Sequence, residues 1–446
     1  MQNLRVDRKT TARRNLFVCC FKLERQDSLM YYQSTLLVKI ITLRVILFFT
    51  LKPYTRRLYA SRCIPYRQIK VLLIFFLVLS SVLWMTTFGY LISLSLVRVF
   101  QKKNPAKNET LPKIAVVVPT LNEEGLISGK LRNLETSDYP DESMQIFVID
   151  GGSTDKTIDT VKQEINGKKN TELICLAESK AKPDQINYVL QNLDYEIIVF
   201  TDADGRLEPS CLKELVTCLI SDSSVSVMGA FIHPETPFLE ERLYWSFINQ
   251  LWWLEGEVFS SACVSAVCHA CRRKHVLPLA SDALADDINI ALSAAAKGLR
   301  VRTCPNARAS EIRVPFTKNE FMKFRQLRGK NYLVELKRSS KLKKAPLRWR
   351  LTLLLKLWHL KVTPKAIPLF VFSAISLLFS RYHFYPIFMI VIFMLPISFS
   401  LLKWNKDDFK KKKRRVLWAA VRLPFLTIMP MLTLNKTKRS RFYMRG

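Results

Sequence analysis

Asp202-Ala203-Asp204 follows directly on the apolar run Ile197-Ile198-Val199-Phe200 and Thr201. In an extended stretch, residues two apart point the same way, so both carboxylates can face one ligand set. Paired carboxylates suit a hard divalent cation such as Mg²⁺ or Mn²⁺, and such a cation can neutralise a leaving group of concentrated negative charge. The bland reading is a solvated turn, since Asp and Gly are common turn residues. Two earlier apolar runs end in the same manner. Gln145 to Ile149 leads into Asp150-Gly151-Gly152-Ser153, and Ile114-Ala115-Val116-Val117-Val118 leads into Pro119-Thr120-Leu121-Asn122-Glu123-Glu124. A turn with a helix cap accounts for Asp150 as well as a binding role does. Three successive runs ending in acid-bearing turns are harder to assign to solvation than one. A reaction at a hydroxyl would need in addition a proton acceptor, and Asp286-Asp287 precedes the apolar stretch Ile288-Asn289-Ile290-Ala291-Leu292. A helix N-terminus that favours acids would explain one of these aspartates more easily than both.

The elements that must carry these residues alternate regularly. Strands are expected at 114–118, 145–150, 172–177 and 196–201. Helices are expected from Glu123 to Leu134, from a Ser153-Thr154-Asp155 cap to Ile165, from Pro183 to Leu193, and after Pro209. Continuous apolar strands joined by helices predict an α/β domain, with a mixed, mainly parallel sheet covered by helices on both faces. Ligands of such sheets bind at the carboxyl ends of the strands. The domain is expected over residues 112–345.

The chain has 446 residues, with Lys+Arg 69 against Asp+Glu 37, a formal charge of +32. Such an excess points to nucleic acid or to an anionic membrane surface. Much of it flanks apolar runs, which favours the membrane and excludes a nucleic-acid partner. Residues 71–97 carry no charge and are long enough to span a bilayer. Residues 366–380 and 384–402 read as a transmembrane hairpin, and 347–362, apolar with Arg348, Arg350 and Lys356, as an interfacial helix. The basic run Lys410 to Arg415 puts its side, and the domain, in the cytosol. This is the pattern of a multi-pass cell (inner) membrane protein. Residues 416–434 are a transmembrane or re-entrant segment. Residues 1–70 form a basic extension in which 36–51 is short and charged enough to lie on the membrane as readily as to cross it. Either choice leaves basic residues outside. The ten cysteines show no disulfide spacing. The cluster Cys263, Cys268, His269 and Cys271 reads as buried thiols on a strand rather than a zinc site.

The segments VVVPTLNEE, VIDGGSTDKT, AKPDQIN and FTDADG, in this order and spacing, resemble the family 2 glycosyltransferases of GT-A fold over about Lys113 to Lys337. The resemblance implies a Rossmann-like domain that transfers a sugar, with inversion, from a nucleotide-sugar, taken as a UDP-sugar. The acceptor would be a hydroxyl of a lipid-linked or polysaccharide substrate, as in exopolysaccharide biosynthesis. It implies nucleotide-sugar contacts from Thr120, Glu123, Asp150, Gly151, Lys182, Asn187 and Asp202. It implies metal, Mg²⁺ or Mn²⁺, at Asp204 and Asp202, and a catalytic base at Asp287 beside Asp286. The third segment usually reads Gly-Lys-x-x-Ala-Leu-Asn; here Ala181 replaces the glycine and Lys182 is kept. Processive members carry Gln-x-x-Arg-Trp, but here the chain reads Phe324-Arg325-Gln326-Leu327-Arg328-Gly329-Lys330. Gln326 and Arg328 are assigned to the nucleotide-sugar, and Arg325 or Lys330 could also meet a diphosphate. Without that motif, chain polymerisation is not implied. Trp245, Trp252 and Trp253 suit either a sugar-stacking surface or a membrane interface. Two alternatives stand beside this reading: transfer to a polyprenyl phosphate, which needs no strong base, and a non-catalytic membrane scaffold on the same fold.

Overall fold

A computed structural model describes residues 66–100, 110–177, 180–338 and 345–402, with a few more between 419 and 432. The expected surface segment 36–51, the basic run 410–415 and most of 416–434 lie outside the described residues.

The first strand shows why the sheet forms. In β1 (Ile114–Thr120) Ile114, Ala115, Val116, Val117 and Val118 are all fully buried. Ile114, Val116 and Val118 join one apolar cluster and Ala115 and Val117 another, as period-two alternation requires of a strand covered on both faces. Each buried Val or Ile contributes about 1.5–3 kcal/mol. β1 pairs in parallel with β2 (Met144–Asp150) and with β4 (Ile197–Thr201), and β2 pairs in parallel with β3 (Thr171–Cys175). The connecting helices are α3 (Ile127–Glu135), α4 (Thr157–Ile165) and α5 (Lys182–Asn192).

Beyond β4 the strand directions become mixed. After the short β5 (Gly205–Leu207) and α6 (Cys211–Ile220) come β6 (Val225–Pro234), α7 (Leu239–Val258) and β7 (Cys268–Arg272). Then follow α8 (Asp286–Ala296), β8 (Arg300–Glu311) and α9 (Lys318–Arg338). The eight strands lie in the order β3-β2-β1-β4-β7-β6-β8-β5. β7 runs antiparallel to both neighbours, β6 and β8 are parallel, and β5 is antiparallel to β8. The expected mixed sheet with helices on both faces is present. Leu131 and Leu134 of α3 and Leu212 and Leu215 of α6 pack on one face, with Ile186 and Val189 of α5 and Ile290 and Ala294 of α8 on the other.

Two local expectations shift. The first helix starts at Ile127, not Glu123, because Asn122 adopts φ 58° and turns the chain. The expected cap Ser153-Thr154-Asp155 narrows to Asp155, which accepts from the Thr157 amide at 3.0 Å, while the Ser153 hydroxyl and amide go to Asp150.

Before the domain, α1 (Tyr66–Trp84) and α2 (Tyr90–Phe100) are joined through a π-helical turn, Met85–Gly89. Together they form a 34-residue rod, Arg67–Phe100, among the described residues the one helix long and apolar enough to cross a membrane. Ile74, Val78 and Val99 on it are exposed, as a lipid-facing surface would be. Tyr90 Oη donates to Glu255 Oε1 of α7 at 3.2 Å, and the Arg98 guanidinium lies 3.8 Å over the Trp253 ring. After the domain come α10 (Leu347–Lys361), α11 (Thr363–Leu378) and α12 (Phe384–Leu402). Residues Trp349–Lys361 and Thr363–Leu378 meet the same length and hydropathy only as a pair, bent by 55°. His359 Nε2 of α10 bonds the Thr86 carbonyl in the π turn at 2.8 Å, partnering a carbonyl where the regular ladder is interrupted.

Candidate active site

The carboxyl ends of β1 and β4, the start of α5 and α8, the end of β8 and one face of α9 enclose a cavity of about 340 Å³. Its wall includes Thr120, Glu123, Lys182, Asp202, Asp204, Asp286 and Arg328 among the residues expected from sequence. Asp150, Gly151, Asn187, Asp287 and Gln326 are outside that wall.

Lys182 is the hub. Its ammonium donates to Asp202 Oδ1 at 2.6 Å and reaches Asp286 Oδ2 at 2.9 Å. Residues far apart in sequence are thus joined by one cation, which the start of α5 aims across the strand ends. Burial works against the charge on Lys182, but Asp202 and Asp286 outweigh it and raise its pKa. The converse holds for Asp286: burial pushes its carboxyl up, and Lys182 more than compensates, leaving it below the usual range.

Asp204 lies beside this pair. Burial and the charge of Asp202 lift its pKa above the ordinary carboxylate value, against the pull of Arg313 and Lys182. A buried carboxylate with a second one beside it is a donor set that a divalent cation would relieve. The oxygen-only chemistry of the pair fits Mg²⁺ or Mn²⁺. Among the described residues no three His, Cys, Asp or Glu side chains converge to hold an ion by themselves, so these two carboxylates would complete a shell only with further ligands.

The turn that presents Asp202 and Asp204 is braced from below. Lys130 of α3 is fully buried, and its ammonium donates to Thr201 Oγ1 at 2.7 Å and the Gly205 carbonyl at 2.9 Å. Burial lowers its pKa to about 8.

The base candidates separate. Asp286 faces the cavity; Asp287 is half-buried beside it and accepts from the Ile288 amide at 2.8 Å. Burial, and then the charge of Asp286, raises Asp287 to about 7. One aspartate is therefore held ionised by a lysine, and its neighbour titrates near neutrality.

The residues at the ends of β1 and β2 are knit together. Asp150 is fully buried and accepts four hydrogen bonds: from Gly152 N (2.9 Å), Ser153 N (2.8 Å), Ser153 Oγ (2.6 Å) and Thr120 Oγ1 (3.1 Å). Asp150 thus ties the ends of β1 and β2, with Gly152 at φ 92°, a conformation that favours glycine. Asn122 locks the same two loops, its amide bonding Ser153 Oγ and its Oδ1 the Thr154 amide, both at 2.8 Å. Asn187 bonds both main-chain groups of Leu279 at 2.8 Å and so anchors the loop before α8.

Sequence reasoning passed over Glu311, Arg313 and Gln185, all in the cavity wall. Arg313 grips both carboxylate oxygens of Glu123 and so crosses from the end of β8 to the end of β1. Glu311 Oε1 accepts from Arg328 at 2.8 Å; burial, opposed by Arg328, brings Glu311 to about 7. Glu311 ends a strand as Asp150 does, a signal open to sequence reading had β8 been delimited. Of the other basic candidates, Arg325 is committed to Glu241, both deeply buried. Trp245 and Trp252 are core residues packed edge to face at 6.0 Å, neither a sugar platform nor an interface anchor.

Residues 115–273 match the model of the Glycosyl transferase family 2, and residues 197–401 that of the Glycosyl transferase family group 2. The dolichyl N-acetyl-alpha-D-glucosaminyl phosphate 3-beta-D-2,3-diacetamido-2,3-dideoxy-beta-D-glucuronosyltransferase of Methanococcus voltae is 34% identical over 102 residues, 22% of this chain and 32% of that protein. The poly(ribitol-phosphate) beta-N-acetylglucosaminyltransferase TarS of Staphylococcus aureus is 31% identical over 103 residues, 23% of this chain and 18% of that protein. The match thus spans a third or less of these relatives' lengths. The mannosyltransferase PcManGT from Pyrobaculum calidifontis, solved with GDP-Man and Mn²⁺, superposes with a TM-score of 0.58 at 20% identity. It covers 80% of this chain and 99% of its own, a likeness of fold.

Proposed function

We propose, on the premise that this chain carries a family 2 glycosyltransferase domain, that it is a membrane-bound enzyme that moves a sugar from a nucleotide diphosphate-sugar, a UDP-sugar by our reading, to a hydroxyl of a lipid-linked or polymeric acceptor with inversion. The observation that carries the proposal is the Lys182 bridge, which joins Asp202 on the donor side to Asp286 on the acceptor side within one cavity. Such an arrangement suits a reaction with a departing anion at one end and a proton to remove at the other.

Asp202 and Asp204 would hold a divalent cation, and that cation would supply charge neutralisation to the leaving diphosphate. Of the cations in the cavity wall, Arg313 is clamped on Glu123, while Arg328, parked on Glu311, and Lys182 suit binding of the phosphates. Asp287 takes the acceptor proton as the hydroxyl oxygen bonds the anomeric carbon and the bond to the diphosphate oxygen breaks. Its pKa of about 7 matches a base working near neutrality. The Ile288 amide holds one of its oxygens, and the charges of Asp286 and Lys182 act on it in opposite senses.

The membrane reading draws support from the apolar rod Arg67–Phe100, docked on α7 through Tyr90–Glu255 and Arg98–Trp253. That docking would bring an amphiphilic acceptor's head to the domain while its tail stays in lipid. The intact cavity counts against a scaffold without catalysis. The test is a donor screen with the purified full chain in lipid nanodiscs, with membrane extract as acceptor and Mn²⁺ present. Release of a nucleoside diphosphate together with a labelled lipid or polymer is expected. Absence of binding to every nucleotide-sugar would overturn the reading.

A further inference from the structure

Gln185 occupies the place that is Ala in the usual Gly-Lys-x-x-Ala-Leu-Asn segment, and it does so in the cavity wall. The side chain is only 2% exposed. Its Nε2 donates to the Thr120 carbonyl at 3.2 Å and to the Lys180 carbonyl at 3.1 Å. The two carbonyls fix which way the amide points, because the flipped amide would set oxygen against oxygen. Oε1 is left buried with no hydrogen-bond partner. A lone buried acceptor costs free energy until something donates to it.

Its place says what would donate. Gln185 lies three residues after Lys182 on α5, on the same helix face and one turn further along. Lys182 reaches Asp202, on the diphosphate side, while Gln185 lies against the ends of β1 and β2. The closeness is tight: a Cβ on Gly151 would sit 2.2 Å from Gln185 Nε2 and 2.4 Å from the Lys180 carbonyl. Gly151 thus makes room for Gln185 rather than for a ligand. Asp150, the natural candidate for reading a base, has already accepted four hydrogen bonds, the capacity of a carboxylate.

We infer that Gln185, not Asp150, selects the donor's nucleobase, its Oε1 accepting the ring N–H of a uracil or guanine. The inference rests on the nucleotide-sugar reading above. Uracil and guanine carry a proton on the ring nitrogen of their pairing edge; cytosine and adenine carry a lone pair there, which an acceptor repels. A site built around one such bond rejects bases that cannot make it.

The test is calorimetric binding of UDP, GDP, CDP and ADP with Mn²⁺ to the full chain in nanodiscs, together with 3-methyl-UDP and 1-methyl-GDP, which lack the ring proton. Wild type is expected to bind UDP or GDP about tenfold or more tighter than its N-methyl analogue, the worth of one hydrogen bond. Preference between UDP and GDP identifies the base. In Gln185→Leu, of similar volume, the gap between the nucleotide and its methylated form should fall below about twofold, while affinity for pyrophosphate is unchanged. A gap that survives in Gln185→Leu overturns the inference, and so does CDP or ADP binding as tightly as UDP and GDP to wild type. The wild-type comparison needs no variant, so misfolding of Gln185→Leu does not protect the idea. If wild type binds no nucleoside diphosphate, the donor reading itself fails and takes this one with it.

Discussion

Replacing Asp287 by Asn removes one proton acceptor and almost no volume. A positioned general base contributes about 10²–10⁴ in rate, or about 3–5 kcal/mol of barrier. Asp287→Asn should therefore lower kcat by that factor and leave the donor KM within about twofold, because the residue is outside the cavity wall. The pH profile gives the sharper readout. Burial and Asp286 hold the Asp287 carboxyl at about 7. Only the ionised form can take a proton, so activity should rise with pH, with about a tenth of the plateau at pH 6 and about nine-tenths at pH 8. The residual activity of Asp287→Asn should lack this limb. The assay is initial-rate release of nucleoside diphosphate between pH 5.5 and 9, buffered in overlapping series. Asp286→Asn makes the contrast. It releases Lys182 from one partner, so donor KM should rise, and it removes a negative neighbour, so the limb should move to lower pH. If Asp287→Asn keeps wild-type turnover while Asp286→Asn abolishes it, the assignment fails and the cavity-facing aspartate is the base.

Chelation with EDTA should abolish transfer and Mn²⁺ or Mg²⁺ restore it, while Asp204→Asn should not be restored at the same metal concentration; activity indifferent to chelation would remove the metal from the scheme. Arg313→Ala leaves Glu123 half-buried without its clamp, which should raise donor KM by about tenfold and lower stability by about 1 kcal/mol, read by steady-state kinetics and thermal melting. Lys130 has a depressed pKa of about 8 against 10.5 in a free side chain. Below pH 8 the folded chain bears the cost of a buried charge. Between pH 8 and 10.5 the unfolded chain binds the extra proton, so stability rises with pH there. Relative to Lys130→Met, wild type should gain up to about 3 kcal/mol across that window, and parallel melting curves for the two proteins would refute it.

Local pattern carried much of the fold. The run Ile114 to Val118 is apolar at every position, as suits a strand covered on both faces, and all five residues are buried. The helices after β2 and β3 began close to where their turn residues and Pro183 placed them. The second half of the sheet was less readable. β7 reads Cys-His-Ala-Cys-Arg, with no strong alternation, and it inserts antiparallel between β4 and β6. Cys268 and Cys271 are three apart on a strand and so belong to opposite faces, one in each core cluster.

For the site, sequence alone determined the residue types at the strand ends: Thr120 and Glu123, Asp202 and Asp204, and the Asp286-Asp287 pair after them. Their chemistry is intrinsic to the side chains, and their spacing is visible because strand ends fall at fixed points in a β–α alternation. Which acids act together was decided by the tertiary structure. Lys182 lies 20 residues from Asp202 in the chain and still further from Asp286, yet it bonds both, because α5 and α8 start at the same edge of the sheet. The same closure clamped Glu123 to Arg313, 190 residues away. It also divided two adjacent aspartates into one held ionised and one near neutrality. It used up Asp150 in the hinge between two strands and left Gln185 with the open acceptor. A pattern along the chain reports which groups exist and which way they alternate. Distance across the sheet and burial set their charge and their partners, and both arise only when the strands are laid side by side.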